Sequence, residues 1–364
     1  MAHCQHFSSC GGCAVDDRAS IDKFLILKDA LARAGFLDAP IAPLVEVPVA
    51  TRRRVDLAVT RKGTEISLGL HKARGTDVVD MRECVLLLPE ILPLLPPLRE
   101  LLRSLTALRR AGSVIINWLD NGPDILLRLD AEFALPDRRR IVEFAKAHGA
   151  PRICVAAQKD IPEPVAVLQT PVLHFGGVAV TPPPGGFLQA STEGEAAIVN
   201  AVLAGLPKLT NKSRIVELFA GAGTLTFPLA AHARVEAYEG DEAACAAGEA
   251  AARAAGLAGR VSFTRRDLHR RPLQPADMVK AAAVVLDPPF AGAAAQMRFI
   301  TASNVARVIY VSCNPDALAA DAGQLRRAGY GVMAATPIDQ FPYSGNLESV
   351  VVFGRQKSVA ESEG

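Results

Sequence analysis

Long apolar runs are missing from this chain. No stretch reaches the ~18 consecutive apolar residues that a membrane span requires, so no membrane partner is expected. The first residues, "MAHCQHFSSCGGC", have neither the charged nor the apolar region of a signal peptide. Cytoplasmic residence is the expectation. Net charge is also scarce: 40 Lys and Arg against 38 Asp and Glu leave +2, with no strong global field for nucleic acid. No internal repeat is visible. The Gly-Ala-Gly turn in "VELFAGAGTLTF" is not followed by Gly-Lys-Ser/Thr, which disfavours a phosphate-gripping loop.

What is present is a folding chain of 364 residues, 50% hydrophobic and 21% charged, long enough for two domains. Basic residues cluster at Arg52, Arg53 and Arg54, at Arg61 and Lys62, at Lys72 and Arg74, and in "RRDLHRR" at Arg265, Arg266, Arg270 and Arg271. Such runs are either a solvated face or a contact for a polyanion. Seven cysteines in a chain expected in the cytoplasm argue against a disulfide framework and for metal binding or catalysis.

The two ends of the chain read differently. Before about residue 180, "RRRVDLAVTRKGTEISLGLHK" alternates apolar and polar residues around Lys62-Gly63, and "SVIINWLDNGPDILLRLD" is a second candidate around Asn121-Gly122. Both predict hairpins. Helical spacing covers about Ser20–Ala34, Leu88–Arg110 and Asp137–His148. This is an α+β region, divided as 1–85 and 86–180. The Pro-rich "TPPPGG" at Thr181–Gly186 marks the junction, and residues 181–364 alternate strands with helices. "SRIVELFA", "RVEAYE", "RVSFTRRD", "AAAVVLD" and "ARVIYVS" are short apolar runs that predict a doubly wound, mostly parallel α/β sheet.

Several residues fall where the strands of such a sheet end. Gly221 and Gly223 lie between a strand and a helix and allow close backbone approach to a ligand. Glu239, near Asp241, ends the next strand, where a carboxylate can accept both hydroxyls of a ribose. Asp287-Pro288-Pro289-Phe290 gives a rigid exit without amide donors from either proline, suited to a wall beside a flat base. In "VIYVSCNPDALAAD", Asn314 is placed as N-cap and Pro315 at the first helical position. Cys313 therefore precedes a helix N-terminus, which is expected to lower its pKa and favour the thiolate. A thiolate adding to uracil carbon 6 turns carbon 5 into an enolate carbon able to take a methyl group. A base must then remove the carbon 5 proton, and Glu348, opening the last strand with a raised pKa, is the candidate. The plain alternatives are a core cysteine and a strand-edge surface glutamate.

Together, "LFAGAGTLTFPLA", "YVSCNP", "GFLQAS" and "FPYSGNLESV" resemble the uracil-C5 RNA methyltransferases, the 5-methyluridine family, in order and approximate spacing along nearly the whole chain. The resemblance implies a class I, Rossmann-like S-adenosylmethionine-dependent methyltransferase domain preceded by an α+β domain bearing a four-cysteine cluster. It implies Cys313 as nucleophile, Glu348 as base, and cofactor contacts from Gln189, Phe219, Thr224, Glu239, Asp267 and Asp287 around Gly221 and Gly223. Departures concern substrate positioning: Phe290 where the family reads Arg, Ser344 and Asn346 where it reads Thr and His, and Ser191 in place of Asn.

Cys4, Cys10, Cys13 and Cys84 suit zinc or a 4Fe–4S cluster by spacing alone; the resemblance implies the cluster. It also implies a member without the N-terminal TRAM barrel, and with it 23S rRNA as substrate for a monomeric enzyme. Arg52, Arg53, Arg54 and Phe290 are the expected RNA contacts. Two competing readings follow from the departures. Asp-Pro-Pro-Phe resembles the motif by which amino-methyltransferases stack a base and hold its amine, leaving Cys313 a bystander. The absent Arg and His fit a cluster-bearing RNA-binding protein without catalysis.

Overall fold

The computed structural model describes residues 4–157, 160–210 and 212–355. Its N-terminal body is a six-stranded sheet of β2 (Arg54–Lys62), β3 (Glu65–Gly69), β4 (Ala111–Leu119), β5 (Gly122–Leu129), β6 (Arg152–Ala157) and β7 (Glu163–Val167), in the order β3-β2-β4-β5-β6-β7. Both expected hairpins form: Lys62 pairs with Glu65, and Leu119 with Gly122. Alternate residues Val55, Leu57 and Val59 of β2 point into a core shared with Leu98 and Leu102 of α2 (Leu95–Ser104) and Ile141 of α3 (Leu135–Ala147). The prolines at the start of α2 delay it past Leu88, because proline is tolerated only in a first turn.

The C-terminal body is an eight-stranded mixed sheet. Its parallel strands are β10 (Arg214–Leu218), β11 (Arg234–Glu239), β12 (Val261–Arg265), β13 (Ala283–Leu286) and β14 (Arg307–Ser312); β15 (Tyr330–Asp339) and β16 (Glu348–Arg355) follow. The order is β12-β11-β10-β13-β14-β16-β15, with the two-residue β1 (Val45–Glu46) on the far edge. Helices α1 (Lys23–Arg33), α7 (Pro275–Met278), α8 (Ala294–Ser303) and α9 (Pro315–Arg327) cover one face. Helices α4 (Thr192–Ala204), α5 (Thr226–Ala230) and α6 (Glu242–Ala254), with the ribbon β8 (Leu173–Phe175) and β9 (Val178–Val180), cover the other. Covered on both sides, β13 is buried at every position, as its continuous apolar run requires. The chain runs outward through β10, β11 and β12 and returns on the opposite side of β10. The crevice of this sheet therefore opens beyond the C-terminal ends of β10 and β13.

The division at 85 and 181 departs from the structure in one instructive way. Helix α1 needs a partner for Leu27, Ala30 and Leu31, and finds it on the larger body, where all three are fully buried. β1 then extends the larger sheet parallel to β15. After the cysteine turn, whose Cys10 bridges to Lys72 of the N-terminal body, the chain thus passes to the C-terminal body through α1 and β1 and returns only after Val47. The Pro-rich junction is a seam: Pro182 O accepts from Arg152 Nη2 at 2.8 Å, and Gly186 O from Asn117 Nδ2 at 3.0 Å.

Arg53 is part of the same seam. Just before β2 it faces inward, 4% exposed, where its guanidinium meets Glu195 Oε2 at 2.6 Å, Thr192 Oγ1 at 3.3 Å and Gln189 O at 3.3 Å. Removing one partner of a buried pair leaves the other charge uncompensated. Glu195→Ala is therefore expected to lower stability by about 3 kcal/mol, read as an earlier urea midpoint. An unchanged midpoint would show that Arg53 finds other partners.

Candidate active site

The antiparallel strand β16 assembles the site. Its register pairs Ser312 with Ser349, so the residue after β14 and the residue opening β16, Cys313 and Glu348, reach the same sheet edge. On the other side Ile338 pairs with Glu348, which brings Gln340 alongside. Gln340 Nε2 donates to Glu348 Oε2 at 3.3 Å and to Gln189 Oε1 at 3.0 Å; Gln189 Nε2 donates to Asp287 Oδ2 at 3.2 Å. Two side-chain amides thus join the carboxyl groups of Asp287 and Glu348. Glu348 Oε1 and Gln340 Oε1 are buried with no hydrogen-bond partner among the described residues. Gln340 is missed by sequence reasoning: in "DQFPYSGNLE" it is one polar residue among several, and its role depends on a strand register that spacing does not give.

Burial dominates the electrostatics. It pushes Asp287 up to about 7, and burial with the field of Asp287 holds Glu348 well above the usual carboxylate range. Glu217, on β10, is pushed up to about 8 by burial and then by Asp287 and Glu239. Cys313 corrects the expectation of a depressed pKa. Asn314 does cap α9, its side chain accepting from Asp316 N at 3.0 Å. Yet burial, then Glu348 and Asp287, pushes the thiol up to about 11. Two carboxyl groups and a loss of water outweigh one helix end. Cys313 faces an open cavity of about 710 Å³ with Phe290, Asn314 and Asn346, walled by Ile26 and Arg33 of α1. Phe290 is 64% exposed, and its carbonyl is held by Asn314 Nδ2 at 2.8 Å.

The remaining expected cofactor residues ring the crevice. Phe219 adopts φ +62° as the chain leaves β10, and its ring centre lies 5.7 Å from that of His269. Gly221 and Gly223 also take positive φ, and Thr224 is half-buried after them. Glu239 Oε2 accepts from Gly221 N at 2.8 Å and Oε1 from Asp241 N at 2.7 Å. It braces the glycine turn as well as ending β11, while Asp241 caps α6. Asp267 accepts from the amides of Arg270 and His269, which lower its pKa. Ser191 is the N-cap of α4, accepting from Gly194 N at 3.0 Å.

The arginine triplet does not present three cations to solvent. Arg53 is the buried seam residue described above. Arg52 lies beside Cys84 and Cys13, and burial lowers its pKa. Arg54 is half-buried, with its guanidinium 5.9 Å from the centre of the exposed Phe187 ring. The inward face of this segment and the closeness of the two bodies, invisible in a charge run, account for the difference.

Cys4, Cys10, Cys13 and Cys84 line a second cavity of about 500 Å³, with Arg52 and Asn346 also in its wall. Gly11 lets the cysteine turn lie on the N-terminal body: its amide donates to His71 O at 2.9 Å, and a Cβ there would come within 2.9 Å of the same oxygen. Burial, then Cys84, Cys10 and Cys4, pushes Cys13 up to about 11. Among the described residues, no three His, Cys, Asp or Glu side chains are arranged as a ligand shell for a metal ion.

The upward shifts fix a pH dependence. The folded protein holds protons on Asp287 and Glu348 that the unfolded chain releases. Their contribution to stability is complete below the ordinary carboxylate range and is lost as pH rises through the folded values. For Asp287 that window runs from 3.8 to about 7. Asp287→Asn is expected to flatten the fall in stability across it in denaturant titrations; an unchanged slope would contradict the shift.

Residues 185–356 match the family model described as tRNA (Uracil-5-)-methyltransferase. A protein of Brucella suis biovar 1, named as an uncharacterized RNA methyltransferase, is 35% identical over 365 residues, covering 97% of this chain and 84% of that one. One of Mesorhizobium japonicum, named likewise, is 36% identical over 355 residues, covering 97% of this chain and 84% of that one. The crystal structure of Pyrococcus abyssi tRNA (uracil-54, C5)-methyltransferase with S-adenosyl-L-homocysteine shares the fold, with a TM-score of 0.67 over 91% of this chain and 82% of that one at 17% identity. No helix among the described residues is long and apolar enough to cross a membrane. Related along almost its whole length to proteins named as RNA methyltransferases, and matched through its C-terminal body by the family model, this chain belongs to the uracil-C5 RNA methyltransferase family.

Proposed function

We propose that the enzyme forms 5-methyluridine in RNA from S-adenosylmethionine, with Cys313 as nucleophile and Glu348 as base. The observation that carries this reading is the β14–β16 register, which sets a cysteine and a buried carboxyl group at one edge of the crevice. The Cys313 thiol gives its proton to water as the positive charge of the methyl donor enters the site, the thiolate adds to carbon 6 of the uracil, and the ring electrons move to the carbon 5 enolate. When bound, S-adenosylmethionine supplies an electrophilic methyl group and a positive charge, which offsets the crowding of carboxyl groups. The Glu348 carboxylate takes the carbon 5 proton after methylation, the carbon 5–carbon 6 double bond re-forms, and Cys313 leaves as thiolate. Gln340 orients the Glu348 carboxyl group throughout. Gln189, Phe219, Thr224, Glu239, Asp267 and Asp287 hold the cofactor about the Gly221–Gly223 turn. Both reacting groups come from one chain, as a monomeric enzyme requires.

The uridine has to leave its stack to reach Cys313, and the exposed ring of Phe290 at the cavity mouth is suited to receive it. The same ring supports a second reading, amino methylation of a stacked base, in which Cys313 takes no part. We assign the substrate to 23S rRNA on the amino-terminal cysteine pattern. The donor chemistry of Cys4, Cys10, Cys13 and Cys84 around one cavity suits a 4Fe–4S cluster once the four thiols turn toward a common centre. Zinc is the alternative, and either would serve a structural role beside the active site.

Two experiments test these assignments. RNA treated with the wild-type enzyme and methyl-labelled S-adenosylmethionine should yield 5-methyluridine on nucleoside analysis, mapping to 23S rather than transfer RNA. Cys313→Ala should lower the rate by more than about a thousandfold. Undiminished transfer by that variant, or label on an exocyclic amine, would favour the second reading. Cys84→Ser is expected to lose iron, acid-labile sulfide and visible absorption in protein purified without oxygen. Stoichiometric zinc in the wild type, without iron, would replace the cluster assignment.

A further inference from the structure

The loop that joins β15 to Glu348 is organised around one buried cation. Lys23, at the start of α1, is 2% exposed, and its partner Asp339 is 1% exposed. Lys23 Nζ donates to Asp339 Oδ1, to Phe341 O at 2.8 Å and to Asn346 O at 2.8 Å. An ammonium group has three N–H bonds, and all three are used, two of them on main-chain carbonyls at either end of the 341–346 turn. Asp339 Oδ2 is taken by Arg18 Nε at 2.5 Å. The tip of the turn is held from outside, Tyr343 O accepting from Ala14 N at 2.7 Å and Val15 N at 3.2 Å.

This turn has no helix or strand of its own, yet it borders the reacting groups. Gln340, next to Asp339, donates to Glu348. Gly345 and Asn346 line the Cys313 cavity. Leu347 is buried and leads directly into Glu348. A buried ion pair is weak evidence for stability, since apolar residues of the same shape often serve as well. What the ammonium provides is a fixed path for the main chain between two points.

We propose that Lys23 is a positioning residue for the reaction: by holding Phe341 O and Asn346 O on one ammonium group, it sets the turn so that Glu348 and Asn346 face Cys313. The inference rests on the assignment of Cys313 and Glu348 given above. The competing role for Lys23 is mere neutralisation of Asp339, and the two are separable. Lys23→Met removes both functions. Lys23→Met combined with Asp339→Asn also removes the charge that needs neutralising, but still leaves the two carbonyls unheld.

The test measures S-adenosylhomocysteine binding by calorimetry, methyl transfer to uridine-containing RNA, and amide exchange across residues 340–347. Both variants are expected to keep wild-type affinity for S-adenosylhomocysteine, to exchange faster in the turn, and to transfer methyl about 100-fold more slowly. The loss should fall on kcat rather than KM. Recovery of the wild-type rate in the double variant would reduce Lys23 to a counter-ion and overturn the proposal. So would a wild-type rate in folded Lys23→Met, or failure of both variants to fold. If the wild-type enzyme itself transfers no methyl to uridine, the assignment of function fails; normal wild-type transfer with an unimpaired Lys23→Met removes only the role of Lys23.

Discussion

Carboxyl groups buried together at the end of a parallel sheet are the constraint around which this molecule is arranged. Glu217 on β10 and Glu348 on β16 are withdrawn from water and Asp287 after β13 is half-buried beside them, and burial, with the field of Asp287 on the two glutamates, opposes their ionisation. Such groups cannot all be charged in a low-dielectric site, so they hold protons at pH values where surface carboxylates do not. The Gln189–Gln340 amide pair ties Asp287 and Glu348 into one network. Cys313 borders it as a thiol whose ionisation the same charges oppose. Burial thus favours the protonated forms at this edge, and an entering positive charge favours ionisation. A cationic methyl donor brings such a charge.

Topology is what gathers these groups. Parallel strands deliver their C-terminal ends to one edge, and antiparallel β16 delivers its first residue to the same edge. Cys313 and Glu348 therefore share one sheet edge although a helix, a strand and a turn separate them in sequence. The second body contributes from the other side: Arg53 grips the main chain at Gln189, so the Gln189 end of the network depends on contact between the two halves. The cysteine cavity lies close by, with Asn346 in its wall and in that of the Cys313 cavity.

Much of this was legible in the sequence, for definite reasons. The apolar runs "RIVEL", "AVVL" and "RVIYVS" belong to strands covered on both faces, so composition alone marks them. Asn314-Pro315 announces the start of α9 because capping chemistry is local. What the sequence could not carry was non-local. The raised pKa of Cys313 depends on burial and on two carboxyl groups brought in by other strands, whereas the helix start that argued the opposite is adjacent to it. Arg53 looks like its neighbours in a basic run, yet it is buried against Glu195 from the other body. Gln340 and Lys23 carry no motif; each acquires its role from a register or a packing contact formed far along the chain.

The central claim is that Cys313 bonds to the uracil and Glu348 ends the reaction by taking a proton. Glu348→Gln tests both at once on ordinary uridine RNA with S-adenosylmethionine. Methyl transfer then proceeds to the covalent adduct, and the step that releases the cysteine is blocked. Denaturing electrophoresis and mass spectrometry should find a methylated RNA joined to the protein through Cys313, accumulating in Glu348→Gln and absent when Cys313→Ala is added. Free 5-methyluridine RNA formed at the wild-type rate, with no adduct in the single variant, would contradict the account.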